Sequence, residues 1–295
     1  MKRLILLLLL LPLLFSCTVF EKTEDAAQYE SVVFIGVDGA GSFFGDDSIT
    51  GFEEIFSSNS SYTYHATSET PSISAQNWGS YLHGVSPATH KCVNGSVACE
   101  RFPYSQYPSV FKIIRQVYPD ADLVSFCQWN AINYGLIEPG ADVYKSSDKR
   151  FCDDVHSQEE IEKMTLDYLE NNTPSFLFVH IENVDSAGHS KGYGSEEHLK
   201  EVQKAVDFIK KVDETIDYSK TLLIVATDHG GKGDDHGGDS KEEMDITIAV
   251  KGKTIKESTL SSSVTPKDIA PVILKALGIK KPSFMEGEIP EGLEV

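Results

Sequence analysis

Five apolar runs of strand length recur along the chain, each rich in β-branched or aromatic residues: SVVFIGV (31–37), ADLVSFC (121–127), SFLFVHI (175–181), TLLIVAT (221–227) and ITIAV (246–250). Most are continuous rather than alternating, which is the pattern of strands covered on both faces. Helical periodicity falls between them, over Tyr107–Tyr118, Ser157–Glu170, Ser195–Thr215 and Thr265–Leu277. Ser157 with Glu160 forms a capping-box start. Thr265-Pro266 opens the last helix and Gly278 closes it. The alternation predicts βαβ units, hence an α/β fold with a mostly parallel central sheet and helices on both faces. No repeat, low-complexity tract or Pro/Gly/Ser linker interrupts 31–290, so 31–295 reads as one domain. The loop-rich stretch from about Phe43 to Phe102 is expected to form a cap over the site.

The start of the chain has a different character. MKR followed by LILLLLLLPLLF reads as a signal peptide over residues 1–16, its apolar part short for a bilayer span. Leu14-Phe15-Ser16-Cys17 resembles a bacterial lipobox, although Phe15 is unusual there. The expectation is an exported protein, cleaved before Cys17 and held at a membrane, in the periplasm or at the cell surface, by lipid on that thiol. The other reading is an ordinary cleaved signal with Cys17 incidental. Residues 17–30 read as a polar tether.

Composition narrows the partners. The formal net charge of −19 repels polyanions and excludes a nucleic-acid polymer as partner. It also opposes capture of phosphate esters, so a phosphate site here must be locally cationic, and bound metal supplies such charge. Among the cysteines, Cys92 and Cys99 flank an Asn94-Gly95 turn signal and are open to pairing or to remaining free thiols. Cys127 ends a strand and reads as buried, and Cys152 is likewise open to pairing in an exported protein. No Cys-x-x-Cys or Cys₂His₂ spacing makes them metal ligands.

The chemistry gathers where apolar runs give way to glycine. FIGVDGAG delivers Asp38, FLFVHIENVDSAGH delivers Asp185 and His189, and LLIVATDHGG delivers Asp228 and His229, with His236 following in GDDHGG. In open α/β sheets ligands bind outside the carboxyl ends of the strands, so six nitrogen and oxygen donors converging there suit two divalent cations, zinc foremost. Each has a plainer reading. Asp38 suits a turn, Asp185 a helix cap, His189 the surface, and GKGDDHGGD a solvated or calcium-binding acidic loop through Asp234 and Asp235. Ser74, in TPSISAQNWGSYLHG, stands at the start of a helix beginning near Ala75. A zinc-activated nucleophile and a simple N-cap both fit it, with Ser72 as the other candidate hydroxyl. Asn77 suits donation to a phosphoryl oxygen or local capping. Trp78, Tyr81 and His83 read as packing, Trp129 and Tyr134 as packing or as a stacking surface for a leaving group, and His180 as a core histidine or a support behind the ligands.

The order of these motifs adds a resemblance. VDG, then S-x-x-N-W with G-V-S-P-A-T-H, then D-S-A-G-H, then T-D-H-G-G with a following H-G, together with TPKDIAPVILKALG near the end, resembles the alkaline phosphatase superfamily, most nearly its type I phosphodiesterase/nucleotide pyrophosphatase branch. The likeness runs from about 32 to 279. It implies that superfamily's three-layer sandwich and its activity, hydrolysis of small phosphoric esters, mono- or diester. It implies one zinc on Asp185, His189 and His236, and another on Asp38, Asp228, His229 and the Ser74 oxygen. It also implies in-line attack through a phospho-serine that water then hydrolyses. The chain departs from the branch at Ser74 and Gln76, where threonine and proline are usual. Ser74-Ala75-Gln76-Asn77 lacks the proline and arginine of the sulfatase signature, and no room exists for the large insertion of the phosphoglycerate mutases. The reading from another class is a surface lipoprotein that binds metal without catalysis.

Overall fold

The computed structural model describes residues 20–99, 106–148 and 156–295. These carry the strands β1 (Ser31–Val37), β2 (Ser60–Thr67), β3 (Leu123–Cys127), β4 (Tyr144–Lys145), β5 (Phe176–Ile181), β6 (Thr221–Thr227), β7 (Asp245–Lys251) and β8 (Ser258–Thr259). They form one sheet in the order β4-β3-β5-β1-β6-β7-β2-β8. The first five in that order are mutually parallel. Only β7 runs the other way, antiparallel to both its neighbours.

Every residue of β1, β5 and β6 is buried, which is why these strands read as continuous apolar runs. Alternate side chains feed two cores. Val32 and Phe34 enter one with Trp78, Ile113 and Ile273. Val33, Ile35 and Val37 enter the other with Ile161, Val202 and Phe208. Helices Ser74–His83, Val110–Val117 and Ile269–Ala276 therefore cover one face, and Gln158–Asn171 and Glu196–Thr215 the other. The result is the three-layer α/β arrangement expected. Each large side chain taken out of water contributes about 1.5–3 kcal/mol, so the central strands are a rigid base for whatever their ends present.

Three expectations need correction. The 43–102 stretch does not form a separate cap over its described length, because it supplies β2 and the helix Ser74–His83, all ten residues of which are buried. Residues 100–102 lie outside the described residues. The polar tether is also wrong for residues 20–30. Lys22 bridges Ile279, Thr23 N–H donates to Gly278 O at 2.8 Å, and Tyr29 is buried with its hydroxyl 2.8 Å from Thr254 Oγ1. Backbone pairing rather than apolar periodicity fixes this segment. Finally, the last helix is preceded by a separate 3₁₀ turn, Pro266–Asp268. Residues 1–19, with the signal peptide and Cys17, and Cys152 lie outside the described residues. Cys92, Cys99 and Cys127 are free, and the Asn94-Gly95 turn is a short helix, Asn94–Ala98.

Candidate metal centre and nucleophile

Register brings the acidic residues together. Val37 pairs with Ile181 on one side and Thr227 on the other, so the residues that follow, Asp38, Glu182 and Asp228, leave three adjacent strand ends. Gly39 turns the chain at φ +67, where its missing side chain matters, since a Cβ would stand 2.6 Å from Asp185 Oδ1. Its N–H donates to Asp228 Oδ1 at 3.0 Å.

Three groups of donors result among the described residues, two of them built from the expected ligands. Asp38, Asp228 and His229, all wholly buried, bring one ligand atom each within 4.8 Å of one another, and Asp185, His189 and His236 do the same. In the first, His229 Nε2 lies 3.4 Å from Asp38 Oδ1 and 3.2 Å from Asp228 Oδ2. In the second, Asp185 and His189 are one turn apart on the helix Asn183–Lys191. His189 Nε2 is 3.3 Å from Asp185 Oδ2, and His236 Nε2 is 3.9 Å from Asp185 Oδ1.

The donor chemistry fits cations. All three imidazoles turn Nδ1 to a backbone carbonyl: His189 to Asp234 O at 2.8 Å, His229 to Gly230 O at 2.9 Å and His236 to Ser72 O at 2.8 Å. A carbonyl only accepts, so Nδ1 carries the proton, and Nε2 of the neutral ring is a lone pair facing the carboxylates. Burial pushes His229 below its usual pKa, toward that neutral form. Each carboxylate is in turn held by one oxygen. Asp228 Oδ1 accepts from Gly39, Asp185 Oδ1 accepts from the Tyr193 hydroxyl, and Asp38 Oδ2 accepts from Trp78 and His180. Asp228 Oδ2 is buried and makes no hydrogen bond, although His229 Nε2 is close. Burial, and then the charge of Asp38, push Asp228 well above the usual carboxylate range. Lone pairs face lone pairs, and a divalent cation is what such a seat suits.

Without a cation, protons take up part of the charge. The hydrogen bond to Asp185 raises His189 to about 9. Burial works to raise Asp185, but the His189 hydrogen bond, His229, Tyr193 and His236 outweigh it and hold that carboxyl well below its usual value.

Ser74 stands beside the first group. Its Oγ is 3.4 Å from Asp38 Oδ1 and 3.3 Å from His229 Nε2. It is the first residue of its helix rather than the cap, a position taken by Ile73 without a side-chain bond, so the N-cap reading does not hold. Nor is Ser72 available as the hydroxyl: its Oγ donates to Gly238 O at 2.8 Å and accepts from Gly237 N–H at 3.1 Å. Asn77 is corrected as well. It is wholly buried. Its Oδ1 accepts from Ser68 Oγ and Glu69 N–H, and its Nδ2 donates to Pro71 O and Ile73 O, so the amide is spent on its own loop. Tyr134 donates to Ser147 O and lies under Lys145, which leaves Trp129, half-buried against the core, as the aromatic nearer the site, 6.5 Å from the His180 ring.

Sequence reading missed Asn94, Tyr193 and the bond of Trp78 to Asp38, while His180, open between core and support, bonds Asp38 from behind. Asn94, read as a turn signal, is exposed and accepts from Ala75 N–H through Oδ1 at 3.0 Å, which brings its amide to the first turn of the Ser74 helix. Tyr193 has its ring against Gly188 and Gly231, where a Cβ would stand 2.5 and 2.3 Å away. Those glycines were the available signal.

A family model described as type I phosphodiesterase / nucleotide pyrophosphatase matches residues 32–254. Among curated proteins, the catalytic subunit of GPI ethanolamine phosphate transferase 3 from Mus musculus is 29% identical over 130 residues, covering 41% of this chain and only 11% of that protein. Among solved structures, murine ectonucleotide pyrophosphatase / phosphodiesterase 5, determined in an inactive form in complex with AMP, superposes with a TM-score of 0.66 at 12% identity, over 86% of this chain and 96% of the other. An alkaline phosphatase superfamily protein from Vibrio parahaemolyticus gives 0.62 at 13% identity, over 93% and 74%. A 2-O GAG sulfatase gives 0.63 at 15%, over 88% and 73%. At these identities the structural likeness establishes the fold.

Proposed function

The chain belongs to the type I phosphodiesterase / nucleotide pyrophosphatase family, and from that premise we propose that it hydrolyses small phosphoric esters with two divalent cations, zinc, and Ser74 as nucleophile. The observation that carries the reading is the Ser74 hydroxyl, 3.3–3.4 Å from His229 Nε2 and Asp38 Oδ1 and free of any capping duty. Asp185, His189 and His236 would hold one cation, and Asp38, Asp228 and His229 the other beside Ser74. Bound there, the cations supply charge against the phosphoryl oxygens and lower the pKa of the attacking hydroxyl and of water.

The chain's own groups do the rest. Ser74 Oγ forms a bond to phosphorus as the ester oxygen opposite departs, and water then cleaves the phospho-serine in a second displacement. Asn94, its Oδ1 tied to Ala75 N–H, keeps its Nδ2 hydrogens for a phosphoryl oxygen, the task first expected of Asn77. The N–H groups opening the Ser74 helix favour an anion at the same place. With a net charge of −19, the protein attracts such a substrate only locally, which makes turnover cation-dependent.

Purified protein tested on nitrophenyl phosphate and bis-nitrophenyl phosphate should turn over at least one, lose activity to a chelator and regain it with zinc. Activity indifferent to a chelator would sink the reading, and stoichiometric metal with no turnover would favour a metal-binding lipoprotein. The likeness to an ethanolamine phosphate transferase supports a second outcome for the same intermediate, transfer to an alcohol. An added amino alcohol that diverts product from free phosphate would reveal it. We further propose export and a lipid anchor at Cys17, supported by the N-terminal pattern. Cys17→Ser should then move the protein from the membrane to the soluble fraction. Among the described residues no helix is long and apolar enough to cross a membrane.

A further inference from the structure

We propose that Trp78 and His180 are positioning residues that fix one oxygen of Asp38 with two nitrogen donors, so that its other oxygen is presented to the seat formed with Asp228, His229 and Ser74. The inference rests on the metal-dependent reading above. Asp38 Oδ2 accepts from Trp78 Nε1 at 2.8 Å and from His180 Nε2 at 3.0 Å, while Oδ1 faces Ser74 and His229. An indole nitrogen only donates, so the first bond has one possible direction.

His180 donates in the same sense. Its Nε2 faces a carboxylate, and its Nδ1 is buried with no partner. A buried acceptor left unmade is a cost that a residue kept for packing alone would not carry, since an apolar side chain would fill the space without it. The surroundings are shaped for this pair. Gly36 is in register with His180 on β5, and a Cβ on Gly36 would stand 2.4 Å from the Trp78 ring. The bare strand position thus opens the slot that the indole fills. The Trp78 and His180 rings then meet edge to face, centroids 5.1 Å apart and 81° between planes, so each holds the other's N–H on the same oxygen.

The rival is a cation held by His180 itself, because Asp38, His180 and Glu182 also bring one ligand atom each within 4.8 Å of one another. The donor arrangement argues against it, since the oxygen such a cation would need from Asp38 already receives both N–H groups. Supports of this kind typically change metal affinity by about 10- to 100-fold.

The test measures affinities for the cations one by one in wild type, Trp78→Phe, His180→Leu and His180→Gln. It uses competition with graded chelators and the visible spectrum of the cobalt(II)-loaded protein, alongside the melting temperature of each metal-free protein. Trp78→Phe and His180→Leu should weaken one cobalt equivalent about 10- to 100-fold and alter its spectrum alone. His180→Gln, which keeps an N–H near the Nε2 position, should recover most of that loss although it melts no higher than His180→Leu. The proposal is overturned if leucine and glutamine variants bind alike, if both equivalents weaken in step with melting, or if wild type takes up a third equivalent that His180→Leu abolishes. Wild-type protein that takes up no cation would overturn the metal-dependent reading itself.

Discussion

The imidazoles of His229 and His236 lie stacked, centroids 3.7 Å apart and 13° from parallel, although each belongs to a different donor group. The two seats therefore share a wall. His236→Ala removes a proposed ligand and should weaken the cation beside Asp185 and His189 most, while the one beside Asp38 weakens by about 10- to 100-fold, as loss of a support to a ligand does. A calorimetric metal titration that shows one equivalent weakened and the other unchanged would mean the stack transmits nothing.

Ser74 makes no capping bond, so its removal should cost little stability and nearly all turnover. Ser74→Ala is expected to keep its metal content and melting temperature while kcat falls by about 10³-fold or more, the scale lost when a nucleophile is deleted. Phosphate-ester turnover and metal analysis on the same sample check this, and unchanged turnover would remove Ser74 from its role.

Two asparagines separate by their partners. Asn77→Ala strips the Glu69 N–H of its partner and removes one bond each from Ser68, Pro71 and Ile73 in a buried loop, and should lower stability by about 1–3 kcal/mol. Asn94→Ala removes a single bond, to the N–H of buried Ala75, and should lower the melting temperature less than Asn77→Ala, yet lower kcat/KM by about 10²–10³-fold, as loss of an oxyanion donor does. Chemical denaturation and steady-state kinetics on the two variants decide the matter. The opposite pattern would restore Asn77 to the chemistry.

The metal-free protein should show a pH signature at His189. Its folded pKa is raised to about 9 from a usual value near 6.5, chiefly by the hydrogen bond to Asp185. Stability from such a group is fully present below the unfolded value and is lost as pH rises through the folded one. Between about pH 6.5 and 9, melting temperature in chelator should therefore fall in the wild type and stay flatter in His189→Gln. Parallel curves for the two proteins would place the titration elsewhere.

What the sequence disclosed, and what it withheld, divides by range of interaction. Strands buried on both faces announce themselves as unbroken apolar runs, and β1, β5 and β6 stand where those runs lie. β2, with polar and aromatic residues interleaved in SSYTYHAT and half its burial pattern broken, carries a weaker period. β4 and β8, at two residues each, carry none. The proposed ligands were legible because aspartate or histidine beside glycine at a strand end is a local pattern. Their supports were not. Trp78 and His180 reach Asp38 from 40 and 142 residues away; in the sequence Trp78 looks like core, and His180 fits core or a support behind the ligands alike. Asn77 and Asn94 differ in burial and in where their amides point, which no spacing encodes.

Ser74 and Trp78 sit four residues apart on one buried helix, and residues at that interval share a face. The hydroxyl beside Asp38 and the indole that steadies Asp38 thus belong to a single rod and move as one piece. Any drift of that rod shifts attacker and target seat in concert and preserves their spacing. Selectivity among leaving groups is accordingly free to evolve in the loops around it, with the reactive geometry carried along unaltered.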